Sequence, residues 1–136
     1  MAIDFGTKRC GLAVTDPTRT IATSLETVAT HQLFEYLNAY FLKEQVDAIV
    51  IGEPKRLDNS SSESTRNSRL FADRIRKTFP GLAVDLYDER FTSKLAQQSL
   101  IQSGQSRQVR KDKSVIDRIS ATILLQDYMQ SLSFKP

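Results

Sequence analysis

The sequence predicts a mixed α/β fold, in which three antiparallel strands and two parallel strands form one five-stranded sheet flanked by α-helices. Two observations predict it. The chain opens with three short apolar or β-branched runs separated by turn signals, which is typical of an antiparallel meander. Segments with helical spacing then alternate with short apolar runs, as in parallel strands joined by helices. A length of 136 residues fits a single domain spanning 1–136.

The meander is predicted from turn chemistry. Two apolar runs, Met1–Phe5 and Cys10–Thr15, are joined by Gly6-Thr7-Lys8-Arg9 and predict a β-hairpin. Asp16-Pro17 signals another turn, and the β-branched residues of Thr20–Val28 predict a third strand. Strands that follow one another through short connections pair as neighbours.

The rest of the chain alternates helices with strands. Apolar residues recur at helical spacing across His31–Gln45, with Thr30 expected as N-cap, and again after a capping box of Ser60 and Glu63. The remaining predicted elements are strands at Asp47–Ile51 and Leu82–Tyr87, and helices from Thr92 to about Gln102 and from Ser114 to Ser131. The last helix is apolar almost all round, which indicates a helix that is packed on both sides or lies across the sheet.

Composition excludes several classes of protein. A single cysteine excludes an internal disulfide, and a single histidine excludes a Cys/His zinc site. Any metal must therefore be held by carboxylates, which favour magnesium, manganese or calcium. Apolar runs stay far below the roughly 18 residues of a membrane span, and Met1–Gly6 does not have the pattern of a signal peptide. We expect a cytoplasmic protein without a membrane partner.

The charge distribution permits a polyanionic partner. The net charge is +3, and the cations fall in two clusters. Clusters of this kind neutralise phosphates and give salt-dependent binding to nucleic acid. The alternative is a solvated helix face and a charged loop. The clusters comprise Arg66, Arg69, Arg74, Arg76 and Lys77, and Arg107, Arg110, Lys111, Lys113 and Arg118.

Acidic residues stand at two predicted strand ends. Asp4 lies inside the first apolar strand, where a carboxylate is costly to desolvate unless it is paired or bound to metal. The alternative for Asp4 is an Asx turn that stabilises the hairpin. Asp88 and Glu89 follow the fifth strand, at the sheet edge where α/β proteins gather ligands. One of these two acids has an alternative role, as a helix cap or as a partner of Arg90.

Asp117 is expected in the first turn of the last helix, where the small residue Ala121 one turn later lets the helix approach the sheet. Taken alone, Asp117 is better explained by a capping box with Ser114 and by the favourable position of an acid in the first turn of a helix. Together, the acids of the first strand, fifth strand and last helix match a site for two divalent ions, which activate water and stabilise the leaving oxygen of a phosphodiester. The chain contains neither GxxxxGK[ST] nor GxGxxG, so the common nucleotide-binding motifs lack support.

Three motifs, in order, resemble those of the YqgF family of Holliday junction resolvase-like proteins and pre-16S rRNA nucleases. The first is Ala2-Ile3-Asp4-Phe5-Gly6-Thr7-Lys8-Arg9-Cys10-Gly11-Leu12-Ala13-Val14, and the second is Asp88-Glu89-Arg90-Phe91-Thr92-Ser93. The third comprises Lys113, Asp117, Ala121, Ile123 and Leu124. The similarity extends from Met1 to about Tyr128.

The resemblance implies a ribonuclease H-like fold and a nuclease that acts in ribosome biogenesis, processing the 5′ end of 16S rRNA. It carries over Asp4, Glu89 and Asp117 as catalytic residues and as ligands of two Mg²⁺ or Mn²⁺ ions. We expect Asp4 to bridge both ions while Glu89 and Asp117 hold one each. The cations expected at substrate phosphates are Lys8, Arg9, Arg90 and Lys113, the arginines because their forked guanidinium suits phosphate oxygens.

Several alternatives remain open at this point. Glu53 stands where the family usually has an apolar residue, and it is either a further metal ligand or, the interpretation we favour, an exposed loop residue. Whether Asp88 joins the metal site is also open. A Holliday junction resolvase-like DNA endonuclease would use the same acids in an obligate dimer. The DFGT sequence also resembles a phosphate motif of actin-like phosphotransferases, but these need two such domains. A non-catalytic RNA-binding module is the remaining possibility. The sequence leaves open whether RNA or branched DNA is the substrate, and whether the chain forms a homodimer.

Overall fold

The structure, a computed structural model, describes residues 1–18, 21–53, 63–88 and 113–133. In these ranges the strands are β1 (Ala2–Asp4), β2 (Arg9–Thr15), β3 (Ala22–Ala29), β4 (Ala48–Glu53) and β5 (Ala83–Asp88). The helices are α1 (Leu33–Lys43), α2 (Glu63–Thr78) and α3 (Lys113–Ser133), and a 3₁₀ turn at Thr30–Gln32 leads into α1. No helix of the described ranges has the length and apolarity needed to cross a bilayer.

The sheet has the predicted mixed topology. Its strand order is β3-β2-β1-β4-β5. The neighbours β1–β2 and β2–β3 pair antiparallel, whereas β1–β4 and β4–β5 pair parallel. The short strand β1 is therefore central, and its last residue, Asp4, pairs with Gly11 of β2 and Gly52 of β4. The parallel strands β1, β4 and β5 all end at this edge.

Strand alternation divides the apolar side chains between the two faces of the sheet. Ile3, with 0% of its surface exposed, belongs to the cluster that packs under α1 and α2. Ala2, also 0% exposed, belongs to the cluster under α3. Small side chains line that second face, so α3 lies close to the sheet and contacts β1, β2, β3 and β4. The expectation of a helix across the sheet is confirmed.

The expected start of the first helix was wrong. Thr30 does not cap it: the N-cap of α1 is Gln32, which makes no side-chain capping hydrogen bond, and Thr30 opens a 3₁₀ turn. The Thr30 hydroxyl instead hydrogen-bonds a residue 24 positions earlier. Other bounds differ from the expectations by one to three residues, as helix and strand ends commonly do. Ser60 and the expected helix from Thr92 to Gln102 lie outside the described residues.

Candidate active site

Asp4 lies at the end of the central strand, on the face that α3 covers. Alternation puts it on the same side of the sheet as the buried Ala2, and its carboxylate is half-buried. The residues directly opposite Asp4 on both neighbouring strands are glycines, Gly11 and Gly52. Because cross-strand partners share a face, neither neighbour places a side chain beside the carboxylate. No side chain from β2 or β4 therefore stands directly opposite Asp4.

Gly11 brings helix α3 onto the sheet next to Asp4. A Cβ at Gly11 would overlap the backbone carbonyl of Asp117 and lie 3.0 Å from the Arg118 nitrogen. The backbone of α3 therefore crosses directly over β2 at this point. We expected Ala121 to permit the approach, and it is fully buried in the contact. The helix comes closest to the sheet at Gly11. This position was not identified from the sequence, although a glycine inside a strand often marks a place where another backbone approaches closely.

Asp117 forms an ion pair with Arg9 across this contact. Arg9 Nε donates to Asp117 Oδ2 at 2.8 Å, and the two side chains are 35% and 24% exposed. Asp117 lies in the second turn of α3, not the first, because the helix already includes Lys113. Ser114 is likewise inside the helix, so the capping-box explanation of Asp117 was wrong. The carboxylate is oriented by Arg9 at the sheet edge.

The charges of Asp4 and Asp117 converge on one buried thiol. Burial raises the pKa of Cys10 from 9.0 to about 11; hydrogen bonds with Thr30 and Gly6 oppose the shift, and the two carboxylates add to it. Cys10 belongs to the cluster on the opposite face of the sheet from α3. Both carboxylates therefore affect the pKa of the Cys10 thiol, but Cys10 lies on the other face of the sheet and is not a candidate metal ligand beside them. Two acids that are 113 positions apart in sequence thus act on the same strand end.

Thr30 holds the turn that carries Lys8 and Arg9. Its backbone N–H donates to the Lys8 carbonyl at 3.0 Å, and its hydroxyl donates to the Gly6 carbonyl at 2.8 Å. The turn is tight, since a Cβ at Gly6 would overlap the Arg9 carbonyl oxygen. Lys8 is exposed and Arg9 is half-buried. Thr30 is thus a positioning residue that no local sequence signal reveals.

Strand β5 contributes a second hydrogen-bonded contact to α3. The Tyr128 hydroxyl donates to Asp85 Oδ2 at 2.9 Å, and the Tyr128 ring packs edge-on against Tyr87 at 5.9 Å between centroids. Burial, with Asp85 adding to it, raises the pKa of Tyr128 to about 12, so the hydroxyl stays protonated and donating near neutral pH. Tyr87 pairs with Gly52, the residue beside Asp4. This contact ties the end of β5 to the same helix that carries Asp117.

The other expected site residues fall partly outside the described residues. Glu89 and Arg90 lie outside them, and Lys113 is described only as the first residue of α3. Glu53 and Asp88 pair in register at the ends of β4 and β5. Among the residues that the structure describes, no three His, Cys, Asp or Glu side chains form a group able to hold a metal ion. The structure brings together Asp4, Asp117 and Arg9, with Lys8 on the adjoining turn.

Comparisons with known proteins identify the family of this chain. A family model described as "RuvX: Holliday junction resolvase" matches residues 1–131. A protein of Flavobacterium johnsoniae is 47% identical over 134 residues, covering 98% of this chain and 97% of its own. A protein of Phocaeicola vulgatus is 45% identical over 134 residues, covering 98% and 96%. Both carry the name "Putative pre-16S rRNA nuclease".

Among solved structures, the chain is similar to the Fowlpox virus resolvase in complex with Holliday junction DNA. The TM-score is 0.56 with 18% sequence identity, over 98% of this chain and 97% of that one. At this identity the likeness shows the fold, which is the ribonuclease H-like fold that the motifs implied. The family model and the relatives at 45–47% identity both span nearly the whole chain, and the chain therefore belongs to the RuvX family of nucleases.

Proposed function

We propose that this protein is a pre-16S rRNA nuclease, which hydrolyses phosphodiester bonds in 5′-end processing of 16S rRNA in the cytoplasm. The observation that carries the proposal is that the backbone of Asp117 lies over Gly11, the cross-strand partner of Asp4, with Arg9 paired to Asp117 at 2.8 Å. Two acids and a guanidinium at the carboxyl edge of parallel strands suit a substrate made of phosphates. The choice of rRNA as the substrate rests on the names of the relatives.

The donor set fits hard divalent cations. Both carboxylates are half-buried, and no side chain stands directly opposite Asp4 on β2 or β4. Glu89, which lies outside the described residues, is the ligand that the resemblance carries over as the third. We infer that Asp4, Glu89 and Asp117 hold two Mg²⁺ or Mn²⁺ ions. Ions bound there would lower the pKa of a water and stabilise charge on the leaving oxygen.

Arg9 has two tasks in this scheme. Through Nε it balances the charge of Asp117, and the terminal nitrogens of a guanidinium so held face away from that carboxylate. A planar fork with two outward N–H groups matches two oxygens of a phosphate. Lys8, exposed on the same Thr30-held turn, adds a positive charge beside it. Arg90 and Lys113 are proposed as further phosphate contacts.

The test is cleavage of a labelled 16S rRNA precursor by the wild type, Asp4→Asn and Asp47→Asn. Asp47 is the matched control, since it is an exposed acid just before β4, at the opposite end of the parallel strands. We expect cleavage with Mg²⁺ or Mn²⁺ that EDTA and Asp4→Asn abolish and that Asp47→Asn retains. Cleavage by Asp4→Asn at the wild-type rate would refute the assignment of Asp4.

A DNA-junction resolvase is the second candidate, favoured by the description of the family model. Such an enzyme cuts two strands symmetrically and therefore requires a homodimer. The discriminating measurement is cleavage of a four-way DNA junction together with the mass of the protein in solution. Paired incisions by a stable dimer, without cleavage of the RNA precursor, would replace the rRNA proposal. Metal-independent RNA binding without cleavage of either substrate would indicate an RNA-binding module.

A further inference from the structure

The outward face of helix α2 carries a dense positive charge that the active site does not use. Its exposed cations are Arg66, Arg69, Arg74, Arg76 and Lys77. Across 65–78, where side chains are described, α2 carries five cations and one acid, Asp73. Helix α1 covers the same face of the sheet but carries one acid, Glu35, and one base, Lys43. Of these two helices, α2 therefore carries the excess of positive charge; we name its five cations the α2 ridge.

Helical geometry arranges the α2 ridge along the helix. One line along the helix contains Arg66, Asp73 and Lys77, at spacings of seven and four residues. Arg69 lies beside this line, one turn before Asp73. The 16 residues of α2 extend over about 24 Å. The line also contains Leu70, an apolar side chain that is 60% exposed. The ridge thus presents charge along the helix, and not at one point.

Two of the cations are held in place by the fold. The Arg74 guanidinium carbon lies 3.8 Å from the centroid of the Phe34 ring, a cation–π contact with the neighbouring helix. Arg76 donates to Asp73 Oδ1 at 3.1 Å and to the Val84 carbonyl at 3.0 Å. Val84 belongs to β5, an outer strand of the described sheet. These contacts fix part of the ridge against the β5 edge and leave most of its charge at the surface.

The chain direction relates the α2 ridge to the active site. Helix α2 follows β4, whose end lies beside Asp4, and leads back to the start of the parallel strand β5. Its N-terminal half, with Arg66 and Arg69, therefore lies toward the catalytic edge. It packs on the face of the sheet opposite α3. A nucleic acid that contacts both the site and the ridge must therefore pass around the sheet from one face to the other.

We propose that the α2 ridge binds the phosphate backbone of structured RNA flanking the cleaved bond, without reading its sequence. This inference rests on the proposed nuclease function, because the ridge extends that substrate beyond the catalytic edge. The chemistry that it recognises is a run of phosphates, since cations without a base-reading surface position nucleic acid rather than specify it.

The test separates binding from cleavage by using Asp4→Asn, in which a stem-loop of the rRNA precursor can be bound without being cut. Into it we would introduce Arg66→Gln, Arg69→Gln and Lys77→Gln together. Each lost phosphate contact lowers the slope of log affinity against log salt by about 0.7 to 0.9. We expect the slope to fall by about two units or more and affinity near 0.1 M salt to fall on the order of 100-fold.

Two control variants make the result decisive. Lys43→Gln removes one exposed charge from α1 and should leave the slope unchanged. Arg66→Lys, Arg69→Lys and Lys77→Arg together keep the charge and should keep the salt dependence. A glutamine variant that is folded and binds with the parental slope overturns the ridge, and so does loss of binding in the charge-retaining variant. Neither result depends on whether the wild type cleaves RNA. Failure of the nuclease proposal would be seen in the cleavage assay and is therefore distinguishable from failure of the ridge proposal.

Discussion

Gly11→Ala tests how the fold positions Asp117. The added Cβ would overlap the Asp117 carbonyl and lie 3.0 Å from the Arg118 nitrogen. Both are backbone atoms of a helix, so no side-chain rotation relieves the overlap. Helix α3 and strand β2 must separate by about 1 Å, and that separation carries Asp117 away from Asp4. The expected consequence is a lower cleavage rate in a protein that still folds.

The magnitudes follow from the size of this displacement. Overpacking a tight contact costs about 1 to 3 kcal/mol, because the neighbouring elements must shift. For a chain of this length that corresponds to a melting temperature lowered by roughly 3 to 12 °C. Misplacing a catalytic group by about 1 Å costs on the order of 100-fold in rate. At 25 °C the variant therefore stays folded while its cleavage rate falls.

The assay is urea unfolding and single-turnover RNA cleavage of wild type, Gly11→Ala and Gly81→Ala. Gly81 is the matched control, because nothing lies within 4 Å of a Cβ placed there. We expect its stability to change by less than about 0.5 kcal/mol, as at other surface positions. If Gly11→Ala unfolds and cleaves like Gly81→Ala, the helix is not held at Gly11 and the account of Asp117 fails.

Three further predictions concern the turn and its surroundings. Arg9→Gln removes a cation that competes for Asp117, so Mn²⁺ measured by calorimetry without RNA should bind about 10-fold tighter (about 1.4 kcal/mol); weaker binding would mean that Arg9 only orients the carboxylate. Thr30→Val removes the hydrogen bond to the Gly6 carbonyl and should cost about 1 kcal/mol in urea unfolding, whereas Thr30→Ser retains it. The raised pKa of Cys10 favours the neutral thiol of the folded state, so its contribution to stability is present below pH 9 and is lost between about pH 9 and 11. Measuring the free energy of unfolding across that pH range checks whether stability falls as predicted, and thiol labelling detects the open state. Equal labelling of native and unfolded protein at pH 8 would contradict the burial of Cys10.

Local sequence signals predicted the architecture because most of the elements are encoded locally. Apolar runs and the turn Gly6–Arg9 indicated the β1–β2 hairpin, and helical spacing indicated α1, α2 and α3. The order of these elements then restricted the topology to a meander followed by parallel strands, which is the sheet observed.

The contacts within the site were not predictable in the same way, because they join distant parts of the chain. Arg9 and Asp117 are 108 positions apart, and Thr30 and Gly6 are 24 apart. A threonine before a helix looks like an N-cap until the hairpin turn is placed beside it. Asp117 looks like a capping residue until the start of α3 is known. In both cases a tertiary hydrogen bond replaced the local one that the sequence favoured.

The ion pair between Arg9 and Asp117 explains how an acid from the last helix is held at this edge of the sheet. The backbone of Asp117 lies over Gly11, the cross-strand partner of Asp4, so the fold brings the two acids to one strand end. Two carboxylates brought together repel each other. Arg9 offsets part of this repulsion through its contact with Asp117 at 2.8 Å, in which the two side chains are 35% and 24% exposed. The pair therefore helps to hold Asp117 where the proposed metal site needs a carboxylate ligand.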